Sequence, residues 1–284
     1  RWEIGDFTIG EEHASTAAIE TLIALLAGSF EQSATDKLVV VVCAEGETHT
    51  LPARMAAALL AYEGFRTIFL GTSVPASDLR EYLASTSPGA LVVSCTRPAH
   101  LPGARACIAA GHDAGVPVAV GGRAFSGYGD HGDRAAALGA DAHAAKLSAL
   151  PEILEGWHPD LTAAEEHVTV RVDVTAAAAP IRTPVVTQLA QFLADGRDVS
   201  STQHRVLAEC GRDLFDTMVA AVYLDDPQLL AHHAAWVSQL ANSLAEVLVP
   251  ADQLLEQLRD AVADTLPDAR NLIDASIALE QPDP

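Results

Sequence analysis

The chain has 284 residues, with 17 Lys and Arg against 38 Asp and Glu, a formal charge of −21 with His neutral. That length suits about two domains, and 49% hydrophobic against 19% charged residues is enough apolar side chain to build real cores and to exclude a disordered chain. So acidic a chain lacks the clustered Lys and Arg that neutralise phosphates, which argues against nucleic acid and anionic membranes as partners; with only 5% aromatic residues it also lacks a base-stacking surface.

In chain order, residues 10–26 read as one helix, with apolar positions at Ala14, Ala17, Ile19, Leu22 and Leu25. Residues 37–143 then alternate short apolar runs with amphipathic stretches. The runs are KLVVVVC (37–43), RTIFLG (66–71), ALVVSC (90–95) and PVAVG (117–121), short, largely β-branched and bounded by Gly, Pro or polar residues. Strands buried on both faces have this composition. The stretches between them (51–64, 76–86, 99–114 and 130–138) predict helices, so the segment predicts βαβ units and a parallel doubly wound sheet. Ligands bind such sheets at the carboxyl ends of the strands, which focuses attention on 44–51, 71–75, 94–98 and 121–128. Residues 165–180 are mixed, a VTVRVDV alternation followed by an AAAAP linker, and from Pro184 onward the pattern is helical. Ser200 or Ser201 is the expected N-cap of a helix with Leu207, Cys210, Leu214, Met218 and Val222 at helical spacing; further helices are expected over 226–247, 250–265 and 267–279. The domains expected are a cap helix over 1–32, an α/β domain over 33–160, a linker over 161–183 and an all-α domain over 184–284. Cys43, Cys95, Cys107 and Cys210 are scattered with no CxxC pair, which suggests neither a zinc site nor a disulfide framework. No apolar run reaches the roughly 18 residues of a membrane span and nothing resembles a signal peptide, so a soluble, cytoplasmic protein is expected.

The first motif is Glu47-Thr48-His49-Thr50-Leu51-Pro52, after the first strand. A loop His can be no more than a solvated surface residue. A His two residues after a carboxylate can also ligate a metal through one ring nitrogen while the carboxylate fixes the other. The segment over 37 to about 145 resembles the cobalamin-binding domain with its D-x-H-x-x-G motif, through that loop, LGTSVPASDL (70–79), Ser94 in VVSCT, GGRAF (121–125) and LGAD (138–141). The resemblance implies a Rossmann- or flavodoxin-like fold and cobalamin bound base-off, with His49 replacing the vitamin's own dimethylbenzimidazole on cobalt. Glu47 would hold the other ring nitrogen, and Ser94, Gly121 and Gly122 would accept the displaced nucleotide tail. Glu47 stands where the motif has Asp, and Pro52 where it has Gly. The alternative is a Rossmann-like domain for another ligand.

The second motif is Trp2, Glu12 and His13, which read as a core Trp and a charged helix start, or as a cap. The pattern resembles the W…EH signature of cobalamin-dependent light-sensing regulators, in which a helical bundle covers the upper face of adenosylcobalamin. It implies Trp2 against the adenosyl group, with Glu12 and His13 at its polar edge. Glu3 stands where some relatives have a cobalt-capturing His, so a bis-His photoproduct would need His13. Most of that bundle is missing, which suggests a fragment or an abbreviated cap.

The third is Cys210-Gly211-Arg212-Asp213, with Tyr223 and Asp225-Asp226 beyond. It reads as an amphipathic helix with a buried Cys, or as a chromophore helix. It resembles the C-x-R-D stretch of phycobiliproteins, which implies a globin-like helical domain over 184–284. Asp213 would then sit on the inner pyrrole nitrogens of a bilin and Arg212 on a propionate. Cys210 would be an attachment point, though a non-covalent biliverdin would fill the same cleft. His204, His232 and His233 are further pocket candidates, or surface residues. Together the two halves resemble photocobilins, photoreceptors that join a cobalamin domain to a bilin domain. That implies a signalling protein rather than an enzyme, acting on a protein effector or through a homo-oligomer. The competing expectations are a corrinoid carrier for methyl transfer and a cobalamin-responsive regulator indifferent to light.

Overall fold

The computed structural model describes residues 8–28, 37–126, 134–157, 170–171, 173–195 and 199–280. The chain divides into two compact units, one from His13 to Thr169 and one of Val170–Pro284 with the residues up to Glu12.

The first unit is a five-stranded parallel sheet. β1 (Leu38–Cys43), β2 (Arg66–Gly71), β3 (Ala90–Ser94), β4 (Val118–Gly121) and β5 (Ala142–Ala144) lie in the order β2-β1-β3-β4-β5. The first four match the expected apolar runs. β5 was not expected, because Ala-His-Ala offers neither β-branched residues nor length; its pairing with β4 makes it a strand. The intervening helices are α2 (Thr50–Tyr62), α3 (Ala76–Thr86), α4 (Leu101–Asp113, entered through a short 3-10 turn at Pro98–His100), α5 (Arg134–Ala137) and α6 (Leu150–Glu155), and α1 (Ile9–Ala27) precedes the sheet. Of the helix expected over 130–138, residues 130–133 lie outside the described residues.

Side chains alternate across the sheet. One face presents Val39, Val41 and Cys43 of β1, Ala90 and Val92 of β3, Ala119 of β4, and Ala142 and Ala144 of β5 to Ala53, Ala56, Ala57 and Leu60 of α2 and Leu150 and Leu154 of α6. On the other, α4 lies so close that a Cβ at Gly111 would sit 2.4 Å from Val118 and 3.2 Å from Leu91. After β1 the chain runs outward to β2 and then crosses to β3 on the other side. The switch in direction therefore falls between β1 and β3, where an open α/β sheet leaves a crevice at its carboxyl edge.

The second unit is helical: α7 (Asp173–Ala178), α8 (Arg182–Ala194), α9 (Ser201–Leu224), α10 (Pro227–Ala245), α11 (Ala251–Val262) and α12 (Pro267–Glu280). Residues 173–181, read as linker, are helical. The alanine run has high helix propensity, Val174 and Ala178 are buried, and Pro180 falls where a helical turn begins and needs no N–H. Ser200 caps α9 in a reciprocal box with Gln203, and Asp226 caps α10 by accepting from Leu229 N–H at 2.9 Å. α8 and α9 approach at Gly211, where a Cβ would meet Leu189 Cβ at 3.2 Å and the Val186 carbonyl at 3.3 Å. Arg182 on α8 grips Asp216 on α9 with two hydrogen bonds of 2.7 and 2.6 Å. Among the described residues, no helix is long and apolar enough to cross a membrane.

Candidate functional site

The loops after β1 and β3 flank the switch point, and Glu47 ties them together. Its side chain is fully buried. Oε1 accepts from the backbone N–H of Thr48 and His49, both at 2.9 Å, and lies 2.6 Å from His49 Nδ1. Oε2 accepts across the crevice from the N–H groups of Thr96 (2.8 Å) and Arg97 (2.9 Å). His100 Nδ1 stands 3.3 Å from the same oxygen, near enough to interact through charge but outside hydrogen-bond alignment. Burial by itself would raise this carboxyl's pKa; the contacts from His100 and His49 and the N–H groups of His49 and Arg97 outweigh it and hold the group well below the usual range. Glu47 is thus an anion.

That fixes the chemistry of His49. Facing a carboxylate, Nδ1 carries the ring proton and donates it, so Nε2 is left with its lone pair. The ring is half exposed, and Nε2 has no protein partner among the described residues. An imidazole oriented through Nδ1 by a carboxylate, its other nitrogen turned outward, is a preformed ligand for one position on a metal. Among the described residues there is no group of three His, Cys, Asp or Glu that would hold a bare ion.

The crevice beside it is lined by small side chains. Across the last rung of the sheet Cys43 pairs Ser94, Ser94 pairs Gly121 and Gly121 pairs Ala144; on the same face one rung further in lie Val41, Val92, Ala119 and Ala142. The two glycines after β4 differ. At Gly122, with φ +110°, a Cβ would fall 2.3 Å from the Cys95 carbonyl, so the fold itself demands glycine there. At Gly121 a Cβ would meet nothing nearer than the Ala144 carbonyl at 3.5 Å, so its bare backbone serves the space in front of it. Gly71, with φ +84°, likewise has nothing within 4 Å of where its Cβ would be. Ser94 is buried at this edge. This edge of the sheet is poor in side chains, as a site for a slender polar appendage would require.

Several residues of this site were not read from the sequence. Ser73 accepts from Gly46 N–H at 3.1 Å and Glu45 accepts from Ala76 N–H at 3.4 Å, which brace the loops after β1 and β2. Glu20 of α1 accepts from the Thr50 hydroxyl, beside His49, and lies 4.0 Å from Arg54. His100 was within reach of sequence reasoning: it is two residues beyond the stretch flagged at the end of β3. Of the cap residues, Glu12 is half-buried and His13 exposed on the first turns of α1, and Trp2 lies outside the described residues.

In the helical unit, Cys210, Asp213 and Tyr223 are buried on α9 and Arg212 is exposed. Burial, with a smaller contribution from Glu209, pushes the Cys210 thiol up to about 12. A thiol so placed stays largely protonated near neutral pH, where only the thiolate is strongly nucleophilic. Asp213 instead faces His233 of α10, with 3.5 Å between Oδ2 and Nε2. His204 and His232 are exposed.

Residues 37–148 match the family model of the B12 binding domain. Two solved structures share part of the architecture: a Methanosarcina barkeri monomethylamine corrinoid protein (21% identity over 54% of this chain and 74% of that one, TM-score 0.45) and a cobalamin-binding protein from Desulfitobacterium hafniense (18% identity over 56% and 75%, TM-score 0.38). No curated protein matches the chain. The sheet unit therefore contains a B12-binding domain, and its cofactor class is a cobalamin or related corrinoid.

Proposed function

We propose that the protein is a light-sensing signalling protein that binds adenosylcobalamin base-off through His49 and a bilin such as biliverdin in a globin-like helical unit. The observation that carries the cobalamin half is His49 itself, its Nδ1 committed to Glu47 and its Nε2 turned outward beside a slot of small residues. Bound adenosylcobalamin would supply a cobalt–carbon bond that light can break. His49 Nε2 would hold the cobalt, Glu47 would hold and orient the ring through Nδ1, and Ser94, Gly121 and Gly122 would receive the nucleotide tail. In the helical unit Asp213 would accept from the pyrrole N–H groups, with Arg212 at the exposed rim for a propionate and Tyr223 within the fold. Because Cys210 is buried and protonated, the bilin would be held without a covalent bond. The signal would pass to a protein effector or a second copy of the chain.

The test is reconstitution of the full chain with adenosylcobalamin in the dark, followed by illumination. The expected outcome is a base-off spectrum that changes with light, together with a change in oligomeric state. His49→Ala should lose the lower-ligand signature and most of the affinity; a spectrum indifferent to that change removes the assignment. Bands that do not respond to light remove the sensing role. Methyl transfer from methylcobalamin-loaded protein to a thiol acceptor, in the presence of a partner enzyme, would put a corrinoid carrier in its place.

A further inference from the structure

The carboxyl edge of the sheet is divided by charge. After β1 the chain continues Ala44-Glu45-Gly46-Glu47, with two carboxylates, and residues 72–75 after β2 carry no charge. On the other side of the switch point every strand is followed by a cation. β3 ends at Ser94 with Arg97 shortly beyond it, β4 at Gly121 with Arg123 beyond, and β5 at Ala144 with Lys146 beyond. Residues 95–98, 122–126 and 145–149 contain no Asp or Glu. In a chain with 38 acidic residues against 17 basic ones, a run of cations after three neighbouring strands stands out, and nothing in the Glu47–His49 pair calls for it.

The register brings these positions together. Ser94 pairs Gly121 and Gly121 pairs Ala144, on strands that run about 4.8 Å apart. The loops stay joined beyond the sheet: Cys95 N–H donates to the Gly121 carbonyl at 3.0 Å, and Ala124 N–H donates to the Cys95 carbonyl at 3.1 Å. The backbone of Arg97 is fixed by its own N–H on Glu47 Oε2 at 2.9 Å. Arg123 and Lys146 are exposed and Arg97 is half-buried, so a ligand lying on this edge reaches them from solvent without entering the fold.

The net charge of −21 repels any anion that approaches, so an anionic group settles only where local positive charge offsets that field. Cobalamin has one such group. The amide side chains of its corrin ring are neutral, and the tail that leads to dimethylbenzimidazole contains a phosphodiester. An Arg guanidinium meets two phosphate oxygens at once, and a Lys ammonium serves as a point charge beside them.

We propose that Arg97, Arg123 and Lys146 form a phosphodiester-recognising rim of the corrinoid site and make the protein select corrinoids that carry a nucleotide tail over those that lack one. This rests on the base-off reading above, which sends the tail to Ser94, Gly121 and Gly122, and adds to it the groups that balance the tail's charge.

The experiment titrates the full chain with adenosylcobalamin and with adenosylcobinamide, the same corrin without phosphodiester or nucleotide, and follows both by absorption. The proteins compared are wild type, Arg97→Gln, the double variant Arg123→Gln with Lys146→Gln, and Arg123→Lys. Wild type is expected to bind adenosylcobalamin base-off and more tightly than adenosylcobinamide, with a preference that shrinks as salt rises from about 0.01 M to about 0.15 M. The double variant should lose about tenfold in affinity for adenosylcobalamin while keeping its affinity for adenosylcobinamide; Arg97→Gln should lose in the same selective way, and Arg123→Lys should stay near wild type. Variants that weaken both corrinoids equally, or neither, overturn the rim and leave the base-off reading standing, as does a base-off wild type without preference between the two. A wild-type complex that stays base-on overturns the base-off reading, and the rim with it.

Discussion

Glu47 meets six nitrogen atoms of two loops through its two oxygens, and its charge state sets how firmly. Its folded pKa lies below the 4.5 of an ordinary glutamate, since the contacts from His100 and His49 outweigh burial. A carboxyl so depressed stabilises the fold in full above pH 4.5, and that contribution fades as pH falls from there toward the lower folded value. Glu47→Gln keeps the shape and removes the charge. It should cost roughly 2 kcal/mol or more at pH 7, and urea titrations of the two proteins should converge as pH drops below 4.5. A gap that is the same at pH 7 and pH 3.5 would contradict this. The cysteines behave in the opposite sense. Burial comes first in raising Cys43 to about 12, Cys107 to about 11, Cys210 to about 12 and Cys95 well above its ordinary value. None presents a thiolate near neutral pH, so iodoacetamide should leave the native protein unlabelled over minutes and label all four sites once it is unfolded. Rapid labelling of Cys210 in the native chain, read by mass spectrometry of its peptide, would reopen covalent bilin attachment. At this scale the sequence showed the Glu47–His49 pair, because both members lie in one loop. It hid His100, whose meaning depends on what another loop brings opposite it.

At the scale of elements, the run of two glycines after β4 separates fold from site. Gly122 combines φ +110° with a Cβ position 2.3 Å from the Cys95 carbonyl, while Gly121 has room for a methyl group. Gly122→Ala should therefore destabilise the chain by about 1–3 kcal/mol or more, from backbone strain and the clash together. Gly121→Ala should melt within a degree or two of wild type, yet weaken cobalamin binding roughly tenfold or more, about 1.4 kcal/mol, because the added methyl intrudes on the slot. Equal losses of stability in the two variants would show that Gly121 too is structural. The strands β1 to β4 were legible because each is an unbroken apolar run buried on both faces. β5 and the helices over 173–181 were not: a three-residue strand has no periodicity to read, and an alanine run between prolines is a linker or a helix according to whether Val174 and Ala178 find something to pack against.

For the whole molecule the decisive quantity is the charge of −21, because self-repulsion on that scale opposes any compact state. The described ion pairs relieve little of it. Arg171 lies near Asp225 and Asp268 at 3.7 and 3.3 Å and Arg259 near Asp274 at 3.2 Å, all with exposed or half-exposed partners that water screens. The order of the strands puts a well-satisfied interior anion, Glu47, at the switch point; Asp141, bonded to His112 and the Val118 N–H, is another, and most of the other described carboxylates reach the surface. Raising the ionic strength from about 0.01 M to about 0.15 M shortens the screening length from roughly 30 to 8 Å, which should relieve repulsion between surface carboxylates while leaving the buried contacts of Glu47 nearly untouched. Melting temperature should rise by roughly 2–4 °C, the equivalent of about 1 kcal/mol for a protein of this size. The Glu47→Gln penalty measured across the same salt series should stay constant. A melting temperature that falls with salt would mean that attractive surface pairs, rather than net repulsion, govern the stability of this acidic chain.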